Sequence, residues 1–340
     1  MTRSIPSHRN RRSEAMRAHM LRWIAIGAVA WLAVVAMASA AVPQTPAEML
    51  READAIKAVD EGRFSRLLQD LTAMEKSLSP RDRSMIGFLR GWRATWVGDY
   101  ENGRSLLEDV ADNSPDTVLR FRATATLINL LGNGHRYEQA FLRLNKLQEM
   151  MPSIRDRKAR FQGQGEASQM LSSAGQYEQA EAYARDMMSD PPPGETVCKG
   201  AQHLLRARRE GGHLDVLDPL FEKALAACDN GSDEVFAQTM RADIAAFHLA
   251  HGRPAEAITL LSTYRDAMRA LNYPVLLAEF DATLAQSYLK VGDLANARRS
   301  ALSAAVTTSW RSSIRAGRAR SAMPAPSTTT PSRWRRALPA

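Results

Sequence analysis

The sequence predicts an all-α fold, a solenoid of about seven antiparallel helix hairpins over residues 46–304, and three observations carry the prediction. A short pattern recurs seven times at intervals of 36 to 40 residues: a turn residue, a ring or bulky apolar residue two positions on, and a small residue five positions on. An apolar or aromatic residue lies twelve positions after every one of these turns. A proline lies seventeen positions after three of them, where a helix should stop. With 45% hydrophobic residues, 24% charged and two cysteines in 340 positions, the chain fits neither the disulfide-scaffold class nor the cysteine-rich metal class.

From the N-terminus, residues 1–40 read as an address. Six arginines in the first 22 residues precede a stretch, Trp23 to Ala47, that holds no charged side chain. Ala38-Ser39-Ala40 forms an A-x-A site at the end of the apolar run, so a signal peptidase would cut between Ala40 and Ala41. The alternative is an uncleaved anchor, since about 20 apolar residues suffice to cross a hydrocarbon core of about 30 Å. In either case the remaining chain is exported, which places it in the periplasm, soluble or held at the inner membrane through residues 23–42.

The hairpins follow. Their turns are GRFSRL at Gly62, GDYENG at Gly98, HRYEQA at His135, GQYEQA at Gly175, GHLDVL at Gly212, GRPAEA at Gly252 and GDLANA at Gly292. Glycine suits the first position because it takes φ > 0 without a Cβ clash. Twelve positions on, Met74, Val110, Leu147, Met187, Ala224, Tyr264 and Ala304 mark the second helix of each pair, and Pro115, Pro152 and Pro192 end three of those helices. The small residue at Gly103, Ala140, Ala180, Ala257 and Ala297 lets two helix backbones approach closely; Leu67 and Leu217 depart from the rule. Hairpins of this kind cannot bury their apolar faces alone, so they stack. Residues 305–340 hold no acid and are dominated by Arg, Ser, Thr, Ala and Pro, which predicts a disordered basic tail. Two origins fit that tail: a GC-rich reading frame translated out of register, or a genuine basic arm for anionic lipid or acidic partners.

On these residues the chain resembles the tetratricopeptide repeat (TPR) family, whose hairpins share the Gly-x-Tyr-x-x-Ala turn and a proline near the repeat end. The best copies are GQYEQA (175–180) and the stretch ending in HRYEQA (135–140), with Leu127 and Leu131 at first-helix apolar positions. Arg90 stands where Leu is usual and Pro254 replaces the Tyr. The resemblance implies a right-handed solenoid that binds a partner on its concave side. The layout of basic segment, export signal and long repeat region also resembles the periplasmic sensing half of bacterial membrane diguanylate cyclases. Their GGDEF catalytic domain has no counterpart here.

Charge excludes one class of partner. Of the formal +8, residues 1–40 hold +5 and residues 294–340 hold +9, leaving −6 for the body. An acidic body repels a polyphosphate, so no nucleic acid is expected. Cys198 and Cys228 flank the fifth hairpin at ends that are neighbours in an antiparallel pair, so in an oxidising compartment they form either a disulfide contributing about 2–4 kcal/mol or two buried thiols. His248 and His251 share a helix face, but no third ligand at zinc-like spacing follows, so no metal is expected. Gly231-Ser232-Asp233-Glu234-Val235 looks like a GGDEF signature and reads instead as a helix start with Ser232 as N-cap. No Walker A loop, G-x-S-x-G elbow or H-E-x-x-H occurs, so neither a catalytic residue nor a cofactor is expected. Arg120, Arg143 and Arg206 lie among apolar helix positions and are the candidate ligand-binding residues. The expected function is a non-catalytic exported scaffold for a peptide, protein or small ligand, with a truncated cyclase sensor as the alternative.

Overall fold

Local capping sets where the helices begin. The computed structural model describes residues 44–229 and 233–305, and its regular structure is helical throughout, with no strand among the described residues. The short stretch up to Glu48 closes its own first turn: the Thr45 N–H donates to Glu48 Oε2 at 2.8 Å and the Glu48 N–H donates back to Thr45 Oγ1 at 3.3 Å. From Met49 onward the described chain is one body.

In chain order the elements are α1 (Pro46–Ile56), α2 (Glu61–Ala73), α3 (Pro80–Trp96), α4 (Tyr100–Asn113), α5 (Thr117–Asn133), α6 (Tyr137–Met150) and α7 (Arg157–Ser173). They continue with α8 (Tyr177–Ser189), α9 (Cys198–Glu210), α10 (Pro219–Asp229), α11 (Glu234–Ala250), α12 (Pro254–Ala270) and α13 (Pro274–Lys290), and a last helix, α14, covers residues 294–305. Odd-numbered helices are the first members of the hairpins and even-numbered helices the second. Side chains cap several first helices: Ser79 accepts from the Asp82 N–H, Asp116 from Val118 and Leu119, and Asp156 from Ala159. The second helices α4, α6 and α8 end at Asn113, Met150 and Ser189, just before Pro115, Pro152 and Pro192.

One turn geometry repeats six times. Gly98, Gly175, Gly212, Gly252 and Gly292 have φ between 71° and 80°, and His135 takes the same left-handed region at 57°. In every case the next residue's N–H donates to the carbonyl five positions back: Asp99 to Ala94, Arg136 to Leu131, Gln176 to Leu171, His213 to Arg208, Arg253 to His248 and Asp293 to Tyr288, all within 2.8 to 3.0 Å. That bond satisfies an end-of-helix carbonyl and, at every turn but the one at Gly212, leads the chain directly into the second helix. The small residue five positions on then meets the first helix. A Cβ on Gly103 would lie 3.1 Å from Thr95 Oγ1 and 3.3 Å from the Gly91 carbonyl, and Ala140, Ala180 and Ala257 are fully buried.

Three expectations are corrected. Gly62 is not a turn residue: it lies inside α2, because the Asp60 carboxylate accepts from the Arg63 N–H and starts the helix one residue before it. The fifth second helix does not follow Gly212 directly but begins at Pro219, where Asp218 accepts from the Leu220 N–H at 2.8 Å and proline occupies the first helical position. The helix expected at Ser232 starts at Glu234, with Asp233 in the N-cap position. Ser232 itself, residues 1–40 with the expected cleavage at Ala40 and Ala41, and the basic tail from 306 onward lie outside the described residues.

The core runs in series along the solenoid rather than around one centre. Three successive apolar clusters cover residues 49–207, 184–247 and 242–284. First helices pack on both their own partner and the next first helix: α3 on α5, α5 on α7, α7 on α9, α9 on α11 and α11 on α13. Second helices bury a single face; α6 buries only Ala140, Leu144 and Leu147, whereas α5 buries residues around most of its circumference. The first helices therefore form the inner rank, and their remaining free face is the concave one.

Candidate functional site

The free face of the inner rank is polar, and its side chains are joined across α1, α5 and α7 and again across α9, α11 and α13. On α5 it carries Arg122, Thr126, Asn129 and Asn133, spaced so that all four share one side of the helix. Gln162, Glu166 and Gln169 hold the matching side of α7. Arg122 Nε donates to Gln162 Oε1 at 3.4 Å, Gln162 Nε2 to Thr126 Oγ1 at 3.3 Å, and Asn129 Nδ2 to Glu166 Oε2 at 2.7 Å. At the N-terminal end Arg122 makes a two-pronged ion pair with Asp54 on α1, at 2.7 and 3.0 Å, and Lys57 joins the same carboxylate. Burial alone would raise the Asp54 carboxyl, but Lys57 and Arg122 outweigh it and hold the group at about 2. Burial draws Lys57 below the ordinary lysine range, against the pull of Asp54.

The C-terminal half is built around Asp243 of α11, which is 1% exposed. Gln202 Nε2 donates to it at 2.9 Å, Arg206 Nε at 3.2 Å and Arg209 at 3.0 Å. Arg206 also reaches Glu279 of α13 at 3.1 Å, so one guanidinium ties three consecutive first helices. Three donors keep the buried Asp243 carboxylate satisfied. His203, one turn before Arg206 in α9, is buried, with its Nδ1 lacking a hydrogen-bond partner. Burial first, and then Arg206, push its imidazole down to about 4.

The solenoid winds far enough for its second hairpin to meet the turn before its seventh. Trp96, at the end of α3, stacks on Tyr273, in the turn before α13, with ring centroids 4.1 Å apart and planes 15° apart. The Trp96 indole N–H donates to the Asn272 carbonyl at 3.3 Å, across 176 residues of sequence. The stack continues inward, Trp96 on Trp92 at 4.8 Å and Trp92 edge-on to Phe64 at 5.9 Å. Burial, and then Tyr100 and Glu166, raise the Tyr273 phenol well above its ordinary range.

The residues singled out in the sequence are distributed unevenly over this surface. Arg206 lies in the inner network. Arg143 lies on a second helix, α6, in a two-pronged pair with Asp112 at 2.7 and 3.0 Å. Arg120, two residues from Arg122 and thus turned away from its face, borders a shallow cleft with Asp112, Lys146 and Met150. Cys198 and Cys228 are bonded, 30 positions apart in the sequence. His251 Nδ1 is 2.9 Å from the Phe247 carbonyl and His248 faces Glu256, so the two rings are committed to different partners. Sequence reasoning missed Asp54, Arg122, Asn129, Glu166, Asp243 and Tyr273. One indication was available: Asn129 to Glu166 and Arg206 to Asp243 are both 37 positions apart, one repeat length.

No family model matches the sequence, and no curated protein matches it. Among solved structures the fold is similar to the crystal structure of a Rap protein complexed with Competence and Sporulation Factor. That likeness has a TM-score of 0.58 at 9% identity, and it covers 82% of this chain and 90% of the other. At that identity it establishes the architecture, an all-α helical-repeat solenoid.

Proposed function

We propose that the chain is a non-catalytic scaffold that holds a peptide or protein segment in the groove lined by its first helices. The carrying observation is the polar strip on the inner rank, linked from Asp54 to Glu166 across the first, third and fourth hairpins and from Gln202 to Glu279 across the fifth to seventh. Backbone amides of an extended segment need evenly spaced donors and acceptors, and the Asn and Gln side chains at 129, 133, 162 and 169 supply both. A fold likeness to a solved repeat protein caught in a complex is consistent with this use of the groove. The Cys198–Cys228 bond and the N-terminal address are consistent with a scaffold that works in an oxidising compartment such as the periplasm.

Selection of a random twelve-residue peptide library on the full chain tests the reading. Selected peptides should lose binding to Gln162→Ala and Asn133→Ala variants and keep it for Arg143→Ala on the outer rank. Equal loss in all three, or no selectable peptide, counts against the groove. The alternative, a sensing half of a membrane diguanylate cyclase, rests on the N-terminal layout and the repeat style. It predicts that fusing the chain ahead of a membrane span and a GGDEF domain yields ligand-dependent cyclase activity.

A further inference from the structure

We infer that the groove contains a cation subsite at Glu166, which takes the ammonium or guanidinium of a lysine or arginine on the bound segment. The inference rests on the reading of the inner rank as the ligand surface. Its basis is charge pairing. The other acids of the inner network each have a cation in place: Asp54 has Lys57 and Arg122, Asp243 has Arg206 and Arg209, and Glu279 has Arg206. Glu166 has none among the described residues. One oxygen accepts from the neutral Asn129 amide, while the other makes no hydrogen bond and is not sealed from solvent.

The neighbouring positions sharpen the point. Gln162 and Gln169 lie one turn to either side on the same face of α7, so an uncharged amide is accommodated there and a carboxylate at 166 is not required by packing. An acid in a low-dielectric groove without a counter-charge destabilises the empty protein, and burial pushes this carboxyl up to about 7. A ligand cation supplies the missing charge. The body's net −6 favours a basic partner over an acidic one at long range.

The test titrates the full chain with an N-acetylated, C-amidated Ala-Lys-Lys-Ala peptide, the same peptide acetylated on both lysine Nζ atoms, and an Ala-Glu-Glu-Ala counterpart, each followed by calorimetry. The lysine peptide should bind roughly tenfold more tightly than its Nζ-acetylated form, the scale of one charge-assisted contact. Glu166→Gln, which keeps an acceptor for Asn129, should abolish that difference and leave the acetylated peptide unaffected. An equal affinity for the two lysine forms, a preference that survives Glu166→Gln, tighter binding of the glutamate peptide, or no binding of the lysine peptide at millimolar concentration each overturns the subsite. Because the acetylated peptide needs only the groove, its binding without a lysine preference leaves the scaffold reading standing while the subsite falls.

Discussion

Replacing Glu166 by Gln should remove a pH-dependent cost from the fold. A free glutamate titrates near 4.5, and burial in the groove raises this one to about 7. The folded chain therefore holds the proton more tightly than the unfolded chain. The stabilising contribution of the group is complete below the unfolded value and is lost as the pH rises through the folded one. The gap of about 2.5 in pKa corresponds to about 3 kcal/mol, and water reaching the second oxygen reduces it to about 2–3 kcal/mol by pH 9. His203 works in the opposite direction: its imidazole is pushed down to about 4, so its contribution is lost as the pH falls from about 6.5 through that value. Subtracting the variant from the unmodified protein cancels His203 and isolates Glu166. Urea unfolding followed by circular dichroism should give nearly equal stabilities at about pH 4, below the unfolded value, and a Gln variant more stable by about 2–3 kcal/mol at pH 9, with unchanged slope. A variant no more stable than the unmodified protein at pH 9 would refute the placement of Glu166 without a counter-charge.

Three further outcomes follow from the geometry. Removing the Cys198–Cys228 bond by paired serine substitution opens a 30-residue loop and should cost about 3.6 kcal/mol on the chain-entropy scale, read as a lower urea midpoint; a midpoint equal to that of the oxidised protein contradicts it. Gly163→Ala should cost about 1–3 kcal/mol, because the new Cβ would fall 2.6 Å from Phe121 Cζ where α5 and α7 cross, and Phe121→Leu in the same background should recover part of the loss. Trp96→Ala removes the stack on Tyr273 and the bond to Asn272, so small-angle scattering should report a larger radius of gyration with an unchanged helical spectrum. An unchanged radius would show that the closure of the solenoid does not depend on this stack.

Much of the architecture was legible because it is local and repeated. The turn demands a left-handed residue, the chain after it demands a small one, and both constraints recur once per repeat, so the period of 36 to 40 residues is visible without any knowledge of packing. Gly62 misled because glycine alone does not make that turn; the Asp60 cap two residues earlier decides the conformation there. Pro219 displaced α10 in the same way, through a capped start that overrides the repeat register. The inner network was harder to read. Asp54 with Arg122, and Trp96 with Tyr273, meet only because the stacked hairpins curve, and that curvature is set by contacts among several helices. Arg143 was singled out for lying among apolar positions, yet it belongs to a second helix and is neutralised by Asp112, whereas Arg206 occupies the corresponding setting on a first helix. Membership of the inner or outer rank, which residue type does not reveal, separates the two.

Hydrogen exchange on the full chain, with and without the tightest selected peptide, tests the central claim most directly. The account predicts slowed exchange in α5, α7 and α9 and in the turn at 271–273, with α4, α6 and α8 unchanged. Slowed exchange confined to the second helices, with the inner rank unaffected, would contradict it.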